Sequence, residues 1–85
     1  MEDHLGVVSC VISDPESVQE VNEMIHHYAD SVIARMGVPC RDYGVNVISL
    51  VIHGTSNEIS TFSGALGRIA GVKVKSIQIS AAKRT

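Results

Sequence analysis

The chain predicts an α+β fold in which two helices cover one face of a four-stranded antiparallel sheet, in the order βαββαβ. Three observations carry this prediction. The stretch TSNEISTFSGALGRIAGVKVKSIQIS, residues 55–80, reads as a capped helix, a glycine stop and a strand that leaves the stop at once. The run Asp14-Pro15-Glu16 opens a second helical pattern. Two long strands, residues 4–13 and 45–53, are apolar on both faces, whereas a strand wet on one side would alternate more cleanly. Crossovers of the usual right hand then put both helices on the same side of the sheet.

Taken in order, the first strand is HLGVVSCVIS. Val8, Cys10 and Ile12 lie on one of its faces; Leu5, Val7 and Val11 lie on the other, interrupted by Ser9. Asp14 can cap free amides, Pro15 suits a first helical position, and Glu16 favours the positive end of the helix dipole. Val18, Val21, Ile25, Tyr28 and Ala29 make the apolar stripe of a helix over 15–30. The next segment, SVIARMGVPCR, could prolong that helix as far as Arg35 with Gly37 as its stop. The β-branched pair Val32-Ile33 favours a strand instead, and Pro39, which cannot donate to a ladder, puts that strand at an edge.

Asp42-Tyr43-Gly44 is the turn into VNVISLVIH, whose Val45, Val47 and Val51 point one way and Ile48, Leu50 and Ile52 the other. Thr55 and Glu58 have the spacing of a capping box. Ile59, Phe62, Leu66 and Ile69 form the stripe of the second helix, over 56–70, and Gly71 ends it. In the last strand Val72 and Val74 are followed by Ile77 and Ile79, a change of phase that a bulge near Lys75-Ser76 would produce. The tail over 81–85 is short, basic and expected to fray.

Eighty-five residues make one domain, and a chain this short buries about two thirds or less of its unfolded surface, so self-association is a natural supplement. Hydrophobic residues are 45% of the chain but aromatics only 4%, so the core must be built of Val, Ile, Leu and Ala. A net charge of -2 argues against a nucleic-acid binder, which carries a basic excess. No apolar run approaches the roughly 18 residues of a membrane span, and no secretory leader opens the chain; a cytoplasmic protein is expected. Cys10 and Cys40 are too few for a disulfide scaffold and are expected to be buried thiols.

Chemistry is sparsely signalled. His26, His27 and Cys40, with His53, are soft-metal ligands in type, so a small Ni or Zn module is one alternative. However, adjacent histidines on a helix diverge by about 100° and match no closed ligand motif. No glycine-rich phosphate loop follows the first strand, and no nucleophile, base and orienting acid can be assembled. Neither a catalytic activity nor a cofactor is expected. Ser60, Ser63 and Gly67 form a small-residue stripe beside the apolar face of the second helix. Such a stripe lets a backbone, a subunit or a ligand approach closely. It and the loop of Ser13 and Asp14 are the candidate ligand-binding positions.

The run SGALGRIAGVKVK, residues 63–75, resembles the closing motif of the iron-only hydrogenase system regulator family, and residues 21–39 are similar to that family's middle. The resemblance implies a ferredoxin-like, ACT-type regulatory domain related to the C-terminal half of the nickel-responsive transcription regulator. That regulator takes nickel with a helix His, two strand His and a Cys. On this chain His26 matches the first, but Gly37, Pro39 and Val45 stand where the other three should be. The nickel function is therefore not carried over, nor is DNA binding, since the N-terminal ribbon has no counterpart here. What remains is a regulatory domain with a small effector, or a purely structural oligomerisation domain. Either would be a homodimer or a higher homo-oligomer, because two helices leave one valine-rich sheet face bare. Val7, Val11, Val45, Val47 and Val51 are the candidates for that face. In ACT-type domains, the resemblance implies, effectors bind where subunits meet.

Overall fold

The computed structural model describes residues 3–82. Six main elements follow one another: β1 (His4–Ile12), α1 (Val18–His27), β2 (Val32–Cys40), β3 (Val45–Gly54), α2 (Ser56–Gly67) and β4 (Val72–Ser80). The strands form one antiparallel sheet in the order β2-β3-β1-β4. This is the ferredoxin-like α+β arrangement, with the βαββαβ order and the edge strand expected from the sequence. The expectations for residues 1–2 and 83–85 lie outside the described residues.

Alternation along the central strands decides what goes inside. Val8, Cys10 and Ile12 of β1 and Ile48, Leu50 and Ile52 of β3 are buried in one cluster with Val21 and Ile25 of α1 and Ile59, Phe62 and Leu66 of α2. Both helices therefore lie on the same side of the sheet. Tyr28 stacks at a tilt on Phe62, ring centres 4.7 Å apart, and joins the C-terminal end of α1 to the middle of α2. Ala29, expected in the stripe of α1, is exposed because α1 stops at His27 and a separate 3₁₀ turn, Ala29–Ser31, carries the chain out to β2.

Each helix begins with the predicted signal. Asp14 accepts a hydrogen bond from the Glu16 amide at 3.0 Å and opens a 3₁₀ turn, Pro15–Ser17, that runs into α1. The Thr55–Glu58 capping box is complete: the Glu58 amide donates to Thr55 Oγ1 at 3.1 Å, and the Thr55 amide donates to Glu58 Oε1 at 2.8 Å. At the other end α2 stops at Gly67, a turn earlier than expected. The chain tightens through Arg68 and Ile69, whose amides donate three residues back to Ala65 and Leu66. It then reverses at Gly71, which holds a φ of 72°.

The last strand corrects the sequence reading. β4 pairs with β1 without interruption from Val72↔Ile12 to Ser80↔His4, so no bulge lies near Lys75-Ser76. Val72, Val74, Ser76 and Gln78 all face the helices, and Ile77 and Ile79 face the opposite way. The phase change is real in sequence, but α2 absorbs it. Ser63 Oγ donates to Ser76 Oγ at 3.2 Å, and Gln78 Nε2 donates to Ser60 Oγ at 3.2 Å, so polar groups on the helix meet polar groups on the strand. The irregularity of this sheet sits instead in β2, between Val32 and Ala34.

Candidate functional site

Because only one face carries helices, the opposite face of the sheet is open. Register assigns its residues row by row across β2, β3, β1 and β4. One row is Val38, Val47, Val11 and Lys73; the next is Met36, Ser49, Ser9 and Lys75; the next is Ala34, Val51, Val7 and Ile77. Beyond them Leu5 is flanked by His53 and Ile79. The five valines expected on one face thus share it, and it is the face away from the helices. Ile77 and Ile79 are 71% and 63% exposed, Met36 is 58% exposed, and Leu5, Val7, Val11 and Val38 are each about 40% exposed. That is an apolar surface far more continuous than scattered single side chains. The β4 contribution is not expected from the sequence, because the bulge near Lys75-Ser76 would have turned Ile77 and Ile79 inward; the faces of β2 are not assigned there.

Three polar features interrupt this surface. Ser9 and Ser49, opposite each other on the two central strands, share a hydrogen bond of 2.6 Å between their hydroxyls. Lys73 and Lys75 bring positive charge at the β4 edge, and among the described residues the four strands carry no carboxylate on the open face. His53 stands at the end where the surface becomes concave. There a cavity of about 570 Å³ is lined by Asp3, His4, Leu5, Ile33, His53 and Ala81. A smaller groove of about 240 Å³ adjoins it through Leu5 and continues over Val7, Val51, Ile77 and Ile79. The amide of Ala81 donates to the carbonyl of Asp3 at 2.9 Å and holds this end of the sheet together.

The predicted ligand positions lie elsewhere and make internal contacts. Ser60 and Ser63 bond to β4 as described, and a methyl group added at Gly67 would lie 3.9 Å from Val74. The stripe is thus where α2 packs closely on β4. Ser13 donates to the carbonyl of Gly71 through both its amide, at 2.8 Å, and its hydroxyl, at 3.1 Å. Buried Ser17 donates to the carbonyl of Ala70 at 2.6 Å. The loop with Asp14 is therefore a clasp on the turn between α2 and β4.

The residues of the metal alternative are not brought together. His26 and His27 are exposed at the end of α1, whereas Cys40 closes β2 at its far end, and β2 spans nine residues. Among the described residues no group of three or more His, Cys, Asp or Glu could hold a metal ion. Both thiols are free; Cys10 is buried, and burial pushes its pKa up, while Cys40 is only half-buried. No helix is long and apolar enough to cross a membrane among the described residues.

A four-stranded antiparallel sheet with two helices on one face and a bare apolar face on the other defines a ferredoxin-like α+β domain. The chain belongs to the TM1266-like family, whose model matches residues 4–76 and carries the description "Iron-only hydrogenase system regulator, putative". The solved structure of the uncharacterized protein TM1266 from Thermotoga maritima superposes with a TM-score of 0.86 at 29% identity, covering 92% of this chain and 99% of that one. The de novo designed protein Foldit4 shares the fold, with a TM-score of 0.55 at 13% identity over 98% of this chain and 100% of that one. No curated protein matches the chain.

Proposed function

We propose that this chain is a regulatory domain of ACT type, without catalytic activity of its own. In this reading it acts in the cytoplasm, assembles with copies of itself and responds to a small effector. The observation that carries the reading is the bare apolar sheet face on a member of a family described as hydrogenase-system regulators. A regulator must couple a ligand to an assembly or a partner, and a concave end on an association surface is where one event can bias the other. The effector then sits in the concave end beside Leu5 and His53, since the hydroxyls of Ser13, Ser60 and Ser63 already have partners inside the molecule. The link to iron-only hydrogenase rests on the family description, and direct DNA binding is not part of the reading, in keeping with the net charge of -2.

A thermal-shift screen against a metabolite library tests it. A ligand that binds the folded state alone raises stability by about 2.7 kcal/mol at a hundredfold excess over Kd. For a domain of this size that is a shift on the order of 10 °C or more. Leu5→Ala and His53→Ala should remove the shift while leaving the unliganded Tm within a few degrees. A library that moves nothing would leave a purely structural assembly domain. A hit insensitive to both substitutions would place the effector elsewhere.

A further inference from the structure

We propose that a second copy of this chain covers the open sheet face, related by a two-fold axis that runs along the strands and passes over the Ser9–Ser49 pair. The proposal rests on the reading that the chain assembles with itself, and it specifies how. Area comes first. Strands of nine or ten residues, four abreast, span about 30 Å by about 19 Å, or on the order of 600 Å² in projection. Side chains standing out of the plane raise the accessible area toward the roughly 800 Å² that each partner contributes to a standard interface. A second copy of the same face supplies that area.

The centre of the face then identifies the axis. Ser9 and Ser49 lie on the two central strands. They also lie midway along the open-face positions: Ser49 has Val45 and Val47 on one side and Val51 and His53 on the other. When a face packs on its own copy with full overlap, its centre must fall on its centre. The two serine pairs therefore meet. Within one pair, one hydroxyl hydrogen bonds the neighbour and one is left over. Two facing pairs complete a ring of four hydroxyls in which each donates once and accepts once. A slipped register would set these hydroxyls against Met36, Lys75 or valine in place of one another, so this polar centre selects the register.

Charge selects the direction of the axis. An axis across the strands would lay the central row on itself and set Lys75 against Lys75 of the other copy. An axis along the strands sets β4 over β2 of the other copy. Lys75 then lies over Met36 and Lys73 over Val38, where the lysine stems cover apolar side chains and the ammonium groups reach water at the edge. Within one chain Met36 and Lys75 are on opposite edge strands, about 14 Å apart, so they cannot pair with each other.

Sedimentation equilibrium of the whole chain tests this. The wild type should be dimeric at micromolar concentration. Met36→Lys should weaken association at least tenfold by facing Lys75 of the other copy, and adding Lys75→Glu should restore it to within threefold. Both positions are exposed, and circular dichroism should show every variant folded. A monomeric wild type overturns the proposal, as does an unaffected Met36→Lys variant. A defect that Lys75→Glu fails to repair also overturns it, since across the strands the two substitutions never meet. A monomer that still responds to a ligand would leave the effector reading standing; a dimer to which no ligand binds would remove that reading and keep this one.

Discussion

At Gly71 three constraints meet on one atom that is not there. Its φ of 72° is open to glycine at little cost, and a methyl group would stand 2.6 Å from Cβ of Asp14 and 3.1 Å from the Asp14 amide nitrogen. Gly71→Ala should therefore destabilise the fold by about 2 kcal/mol or more in urea unfolding, while Gly37→Ala, with open space around it, should change little. The capping box offers a second residue-scale test. Thr55→Ala should lose about 1 kcal/mol. Glu58 accepts from the Thr55 amide and, less strongly, interacts with the Thr55 hydroxyl, and both hold its carboxyl below its ordinary value of 4.5. A depressed carboxyl stabilises the fold above its unfolded value, and that contribution is lost as pH falls through the folded one. Acid unfolding followed below pH 4.5 should show a shallower loss for Glu58→Gln than for the wild type.

At the scale of elements, α2 does two jobs with two stripes. Ile59, Phe62 and Leu66 fill the core and are almost wholly buried. Phe62, the one phenylalanine of the chain, is wholly buried and packs against Tyr28 and the aliphatic core. Phe62→Ala should cost about 3–5 kcal/mol by calorimetry or denaturant, enough to threaten folding in a domain this small. The second stripe, Ser60, Ser63 and Gly67, meets β4 through hydroxyls and a missing side chain. That pairing lets Ser76 and Gln78 face a helix, and it frees Ile77 and Ile79 for the other side of the sheet.

For the whole molecule, the two-layer arrangement leaves half of the sheet's surface without a protein layer. A chain with 45% hydrophobic residues has more apolar surface than two helices of ten and twelve residues can cover. The self-association proposed above would cover it, since burying one valine is worth about 1.5 kcal/mol or more and several are gathered here. Val47→Asp puts a carboxylate on that face at a half-buried position away from the core. It should abolish self-association in sedimentation while the circular dichroism spectrum stays that of the folded chain. A folded variant that remains a dimer would show that this face is not the contact.

Local chemistry made much of this protein legible in its sequence. The capping box at Thr55, the Asp14-Pro15 start, the glycine at position 71 and the alternation of β1 and β3 act over a few residues, and each is found in the structure. The family resemblance through residues 63–75 was legible for the same reason, since glycine spacing is a local mark. Long-range pairing decided the rest. Alternation alone splits β1 into two equivalent apolar sets, and only the positions of α1 and α2 make Val8, Cys10 and Ile12 the inner one. The phase of β4 looked like a bulge because Ser76 and Gln78 are polar, yet serines on α2, 13 and 18 residues away, hydrogen bond to them. Likewise the Ser13 clasp on Gly71 spans 58 residues. A polar side chain does not carry the identity of its partner, so only the folded chain shows that Ser13, Ser60 and Ser63 bond within the molecule and that Ile77 and Ile79 lie on the open face.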